Sequence, residues 1–201
     1  MSPSPTPGAT MTVMDHGLDA ALREARTGSQ AAFGELWRAW SPAVCGFLRA
    51  KGAHDPESTT SEVFLGGFEA LDDFVGDAGQ FRALLFTIAQ RRVVDELRRR
   101  SRRPVEVEWT AELDDRCDDS AEQRALAWQG ESDARTLLDG LPPDQKDVLV
   151  LRIFGDLTVD QIAAALGKTP GAVKQLQRRG LDNLRRRVGA ARPVDLAAER
   201  S

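Results

Sequence analysis

Three observations predict an all-α chain, built as two small helical domains joined by a flexible acidic linker. Apolar residues recur at three- and four-residue spacing through most of the sequence. Tyr is absent, Val-Ile-Thr runs are few, and Leu, Ala and Arg dominate, a composition that favours helix over strand. Charge is also partitioned: two basic blocks flank an acidic, aperiodic stretch, although the whole chain carries only −4. A length of 201 residues fits one or two domains, and a hydrophobic fraction of 41% supplies enough apolar surface for their cores.

Residues 1–17 begin rich in Pro, Ser and Thr and lack the basic start and apolar core of a signal peptide, so they read as a disordered tail. Met11 and Met14 are candidate alternative starts. The first domain, 18–103, opens its first clear helix at Gly28-Ser29, with Phe33, Leu36, Trp37, Trp40, Val44 and Phe47 on one side. The phase of Trp37 and Trp40 with Leu36 and Val44 makes both core residues rather than a stacking platform. Asp55-Pro56 starts the next helix, Asp as cap and Pro in the first turn, with Val63, Phe64, Phe68 and Leu71 as its apolar side. A loop with two glycines and an exposed Phe74-Val75 pair leads to a long helix, Phe81 to Arg100. Phe81, Leu84, Leu85 and Ile88 bury its start, and its end is nearly all Arg. From Arg82 to Arg103 eight arginines face only Asp95 and Glu96, a net of +6.

Residues 104–120 lack helical periodicity and read as the linker. From Pro104 to Glu122 the acids are Glu106, Glu108, Glu112, Asp114, Asp115, Asp118, Asp119 and Glu122 against Arg116, a net of −7. The second domain, 121–188, begins with Ala125, Leu126 and Trp128, continues with Leu137, Leu138 and Leu141, and turns at Pro142-Pro143. A helix bearing Val148, Leu149, Leu151 and Ile153 follows. Residues 189–201 form a C-terminal tail.

Residues 157–179 predict a helix, a tight turn and a second helix. Thr158 and Gln161 have the spacing of a capping box, Ile162, Ala163 and Leu166 share a face, and Gly167 permits the turn. Thr169 caps the second helix and Pro170 suits its first position. Val173 and Leu176 point back at the first helix, which leaves Lys174, Gln175 and Arg178 outside. Turn chemistry and a basic outer face together predict a helix-turn-helix for the DNA major groove. From Lys168 to Arg187 the net charge is again +6, seven bases against Asp182. Local charge governs phosphate binding, so the acidic total does not exclude nucleic acid.

Other chemistries find little support. Cys45 and Cys117 lie far apart without a CxxC spacing, which argues against a disulfide framework or zinc site and fits a reducing compartment. Cys45 reads as core, and Cys117, among acids, as exposed and inert. His16 and His54 read as surface residues without metal-ligand partners. No apolar run approaches the ~20 residues of a membrane span. A nucleic-acid enzyme would need a preorganised carboxylate cluster, a metal site or a phosphate loop, and the acids of the linker cannot preorganise one. No catalytic residue, metal or cofactor is assigned.

Taken in order, these motifs resemble a bacterial RNA polymerase sigma factor of the extracytoplasmic-function group of the sigma-70 family, which keeps only regions 2 and 4. Region 2 is matched by Ser61-Glu62-Val63-Phe64-Leu65, by residues 81–89 and by Val94-Asp95-Glu96-Leu97-Arg98-Arg99-Arg100. Region 4 is matched by Leu141-Pro142-Pro143, residues 148–152, residues 161–167 and Gly171-Ala172-Val173-Lys174. The chain departs from the family in four places. Ser58-Thr59-Thr60-Ser61 replaces an acidic-apolar run in the polymerase-docking helix, so only Glu62 keeps the charge there. Leu84 replaces a Trp, Ala89-Gln90-Arg91 an Ala-Arg-Asn, and Gln161 a Glu.

The resemblance implies a cytoplasmic, non-enzymatic protein whose partners are the β and β′ subunits of core polymerase, promoter DNA and an anti-sigma protein. Ser61, Glu62, Phe64 and Leu65 would dock on polymerase. Phe74, Val75, Gln80, Arg91, Arg92, Asp95, Arg98 and Arg99 would read and melt the −10 element, the loop taking an unstacked base and the arginines the separated strand. Thr169, Gly171, Lys174, Gln175, Arg178, Arg179 and Arg185 would bind the −35 element, Lys174, Gln175 and Arg178 at base edges and Arg179 and Arg185 at phosphates. The acidic linker would run through a basic polymerase channel rather than meet DNA. The alternative is a free-standing helix-turn-helix regulator. That reading leaves the Arg-rich helix without a task and lacks a dimerisation helix.

Overall fold

A computed structural model describes residues 17–102 and 137–191. The N-terminal tail with Met11, Met14 and His16, the acidic linker with Cys117, the stretch holding Ala125, Leu126 and Trp128, and residues 192–201 lie outside them. Every element among the described residues is helical: beside a short helical turn at 137–139 these are α1 (17–25), α2 (Gln30–Lys51), α3 (Pro56–Glu69), α4 (Ala78–Arg102), α5 (Pro143–Gly155), α6 (Val159–Leu166) and α7 (Pro170–Ala191).

Local chemistry sets the boundaries. Ser29 accepts the Ala32 amide at the start of α2, and Gly52 in the left-handed region at φ 82° closes it. Asp55 accepts the Ser58 amide at 2.8 Å ahead of α3, with Pro56 in the first turn. The start of α4 comes earlier than the expected Phe81. Asp77 and Gln80 cap it reciprocally, the Gln80 amide donating to Asp77 Oδ1 at 2.8 Å and the Asp77 amide to Gln80 Oε1 at 2.9 Å. That box draws Ala78 and Gly79 into the helix. At the other end of the chain, α7 continues to Ala191, beyond the expected domain boundary at Val188.

The core of the first half is aromatic. Phe47, Phe64, Phe81 and Phe86 are fully buried beside Leu22, Leu36, Leu48 and Leu85. Phe68 stacks on Phe81 at 6.4 Å, and Phe47 meets Phe86 edge-on at 5.5 Å. Trp40 is 2% exposed, as a core residue should be, but Trp37 is 36% exposed and covers the core only through Phe64, 4.6 Å away. Cys45 is buried and His54 exposed, as expected. In the second half Val148, Leu149, Val150, Leu151, Leu157, Ile162 and Val173 are buried. Ile153, expected on the apolar side of α5, is 57% exposed, and Val150 takes the inward place.

The two halves share one core. The α5–α6 pair packs on α2 and α4, with the Phe154 ring set against Gly46 so tightly that a Cβ there would lie 2.7 Å from it. Asp147 on α5 binds Lys51 of α2 and accepts from Gln90 Nε2 of α4 at 3.0 Å. Arg82 Nη2 of α4 donates to the Asp156 carbonyl at 3.4 Å. Asp156 itself, at φ 46°, closes α5, a conformation Asp tolerates better than most side chains.

Candidate nucleic-acid interface

The turn between α6 and α7 is built from its own residues. The Gln161 amide donates to Thr158 Oγ1 at 3.2 Å and the Thr158 amide to Gln161 Oε1 at 2.9 Å, the expected capping box. Gly167 adopts φ 63°, and its amide and that of Lys168 reach back to the last carbonyls of α6. Thr169 Oγ1 then accepts the Ala172 amide at 3.2 Å and starts α7. Val173 is fully buried and Leu176 partly so, which turns the opposite face outward.

That outer face carries Thr169, Gly171, Lys174, Gln175, Arg178 and Arg179, all exposed. The side chains of Lys174, Gln175, Arg178 and Arg179 make no hydrogen bond or ion pair with another described residue, so their donors are available to a ligand. Arg185, also exposed, holds Asp182 at 3.1 Å across the helix surface. A hollow of about 380 Å³ lies beside this face, lined by Asp144, Lys168, Thr169, Ala172, Gln175, Leu176 and Arg179, with Lys168 and Asp144 paired 3.1 Å apart.

The second basic surface is the end of α4. Arg91, Asp95, Arg98 and Arg99 are exposed, and Arg92 is half-buried against Glu62 of α3. Asp95 receives Arg98 at 3.7 Å, and its backbone carbonyl accepts Arg99 Nε at 3.3 Å. Exposed pairs of this kind contribute little to stability, about 0–1 kcal/mol, so a phosphate can replace the carboxylate at small cost.

Before α4, the Phe74-Val75 pair divides. Val75 is 92% exposed, whereas Phe74 is half-buried and meets Phe81 edge-on at 5.3 Å, correcting the expectation that both are exposed. The ring's size and its contact with the core outweigh its place in a loop. Gln80 is exposed, but its side chain is engaged in the α4 cap. On α3 the docking candidates divide likewise: Ser61, Glu62 and Leu65 are exposed, Leu65 by 60%, but Phe64 is 1% exposed and belongs to the core. Phe64 lies one step from the outward Leu65 on a helix, which rotates it inward beneath Trp37.

Sequence reading missed the residues that act between distant segments. Gln90 and Arg82 are buried at the contact between the halves, and Asp19 of α1 and Arg26 in the turn just after it reach the loop before α4. No signal of local spacing marks them, since their partners lie 50 to 74 residues away. In the first turn of α3, Glu57 is drawn in two directions: burial raises its pKa, but the hydrogen bonds it accepts from Arg49, its own backbone amide and Cys45, together with the Arg49 charge, hold the carboxyl below its usual value. Among the described residues no group of three or more His, Cys, Asp or Glu is placed to hold a metal, and no helix is long and apolar enough to cross a membrane.

Known proteins share this arrangement. Residues 36–103 match the family Sigma-70 region 2, and residues 137–186 match Sigma-70, region 4. The ECF RNA polymerase sigma factor SigD of Mycobacterium tuberculosis is 30% identical over 194 residues, covering 90% of this chain and 89% of SigD. ShbA of Streptomyces griseus, another ECF RNA polymerase sigma factor, is 36% identical over 141 residues, 69% of this chain and 74% of ShbA. In fold, the chain resembles CnrH in its complex with the cytosolic domain of CnrY, with a TM-score of 0.64 at 24% identity over 87% of this chain and 99% of CnrH.

Proposed function

The chain belongs to the sigma-70 family and to its extracytoplasmic-function group of transcription-initiation factors, and from that premise we propose that it directs core RNA polymerase to promoters by reading a −10 and a −35 element with its two helical halves. The observation that carries this reading is the pair of separate basic surfaces, one at the end of α4 and one on α7, each on the half that matches the corresponding family region. On α7, Lys174, Gln175 and Arg178 meet base edges in the major groove, and Thr169, Gly171, Arg179 and Arg185 lie along the phosphates. On α4, Arg91, Arg92, Asp95, Arg98 and Arg99 flank the strand separated at −10, and the loop with Val75 at its tip receives an unstacked base. Ser61, Glu62 and Leu65 of α3 form the polymerase-facing surface, toward β and β′.

The protein works as a non-enzymatic factor in the cytoplasm, where the polymerase is, and an anti-sigma protein is the regulator the family suggests. Two modest basic surfaces, each giving a few phosphate contacts, bind strongly only when polymerase holds both near the same duplex. The isolated chain is therefore expected to bind duplex promoter DNA weakly, and specific binding is expected to appear on adding core polymerase. Promoter-dependent transcription with purified core enzyme tests the reading. Tight, salt-resistant, sequence-specific binding by the chain alone would favour a free-standing regulator instead.

A further inference from the structure

We propose that α1 is part of the base-capture device, with Asp19 and Arg26 as positioning residues that hold the loop before α4 in its base-receiving shape. The inference rests on the reading of that loop as the −10 pocket. It concerns a helix that lies ahead of residues 36–103, the part of the chain matched to region 2.

Leu18, Ala21, Leu22 and Ala25 bury α1 in the aromatic core and fix its rotation. Asp19 and Arg26 stand two helical turns apart, on the same side of the helix line, and the Arg26 amide still bonds back to the Leu22 carbonyl. Both reach the loop. The Asp19 carboxylate accepts the Ala78 amide at 2.8 Å and so caps α4 from 59 residues away. Arg26 Nη2 donates to the Gly76 carbonyl at 3.2 Å, and its guanidinium carbon lies 5.6 Å from the centre of the Phe74 ring.

The loop is thereby held at both ends. Phe74 is pinned between Arg26 and Phe81, and Ala78 is capped by Asp19, while Val75 between them stands in solvent. Gly76 admits this path because a Cβ would lie 2.5 Å from Gln80 Oε1 and 2.9 Å from Phe74 Cζ. Among the described residues Arg26 Nε has no hydrogen-bond partner, so the guanidinium is held to the loop by Nη2 and by its place against the Phe74 ring. A loop already in its receiving shape loses less conformational freedom when a base enters, so capture is stronger.

The test measures binding of holoenzyme to a single-stranded −10 oligonucleotide, intact and with an abasic site at each position in turn. In the wild type one abasic position weakens binding, which identifies the captured base. Arg26→Ala is expected to weaken binding of the intact oligonucleotide about tenfold and to shrink that abasic penalty below about twofold. Affinity for polymerase and for a −35 duplex should stay unchanged, and Arg26→Lys should restore most of the penalty. A full abasic penalty in Arg26→Ala overturns the proposal. Val75→Asp separates the two readings. If it removes the penalty while Arg26→Ala retains it, only the positioning role falls; if neither removes it, the loop is not the pocket. Arg26→Met keeps the side-chain stem and deletes the donors, and loss of polymerase binding by both Arg26→Ala and Arg26→Met would mark the tie as structural and overturn the proposal.

Discussion

Lys174 and Arg178 stand one turn apart on the solvent face of α7, four residues in sequence and one ridge in space. Their position follows from the burial of Val173 and Leu176, so the face they present is the one the apolar pattern leaves over. Lys174→Ala and Arg178→Ala are each expected to lose about 1–3 kcal/mol of discrimination at the base they read. Arg185→Ala should weaken binding evenly across sequences. Competition of −35 point variants against each mutant holoenzyme checks this, and base changes that act equally in mutant and wild type would show that neither side chain reads bases. A second expectation at this scale concerns Glu57, whose pKa in the fold lies below its usual 4.5 because, against burial, the hydrogen bonds from Arg49, its own backbone amide and Cys45 and the Arg49 charge together prevail. A carboxyl with a lowered folded pKa contributes stability above its unfolded pKa and loses it as pH falls through the folded value. Glu57→Gln should therefore flatten the acid limb of thermal stability below about pH 4.5 and leave the neutral-pH dependence alone, as melting curves across pH would register.

At the scale of elements, most of what positions the interface is legible in local sequence. Ser29, Asp55, Thr158 with Gln161, Gly167 and Thr169 announce their caps and turn through residue type and spacing, and each bond forms as read. Where reading falls short, a second interaction competes with the local one. Gly79 suggests loop, but the Asp77–Gln80 box and the Asp19 cap extend α4 back through it. Phe74 suggests exposure, but Phe81 and Arg26 hold its ring. Phe64 lies on the apolar side of α3 as read, and that same burial removes it from the docking set, while Ile153 turns outward, because apolar character fixes a helical face only when the whole stripe is phased against its neighbours. The loop element has its own expected outcome. Gly76→Val brings side-chain atoms into the space of Gln80 and Phe74, so the loop must take another path. Polymerase affinity should persist, because α3 is untouched, while promoter opening falls, seen as loss of permanganate-reactive thymines around −10. Unchanged opening would place base capture elsewhere.

At the scale of the whole molecule, the contact between the halves is the feature least visible in sequence, since Lys51 and Asp147 are 96 residues apart and neither is marked by spacing. The contact has two parts, an apolar one where Phe154 meets Gly46 and a polar one where Asp147 joins Lys51 and Gln90. The Lys51 side chain is only 7% exposed, so the ammonium depends on that carboxylate. Removing one partner of a buried pair costs about 3–5 kcal/mol when the other charge stays buried. Here Lys51 has an escape: if the halves part, it returns to water, and the cost is limited to whatever free energy held them together. Asp147→Ala is therefore expected to separate the halves rather than unfold either one. Asp147→Asn, which keeps an acceptor for Gln90 but not the charge, should separate them less. Parting also fits the proposed task. A globule of this length has a radius of gyration of about 17 Å. Elements centred at −10 and −35 lie about 25 base pairs apart, roughly 85 Å at 3.4 Å per pair. The packed form cannot reach both, so the contact at Asp147 must break when both are bound. Energy transfer between dyes on the exposed faces of α3 and α7 reports the distance. It should lengthen in Asp147→Ala, and in the wild type on binding polymerase and promoter, while circular dichroism keeps its helical signal. Equal transfer in Asp147→Ala and wild type would mean that Phe154 and its apolar surroundings hold the halves together without the ion pair.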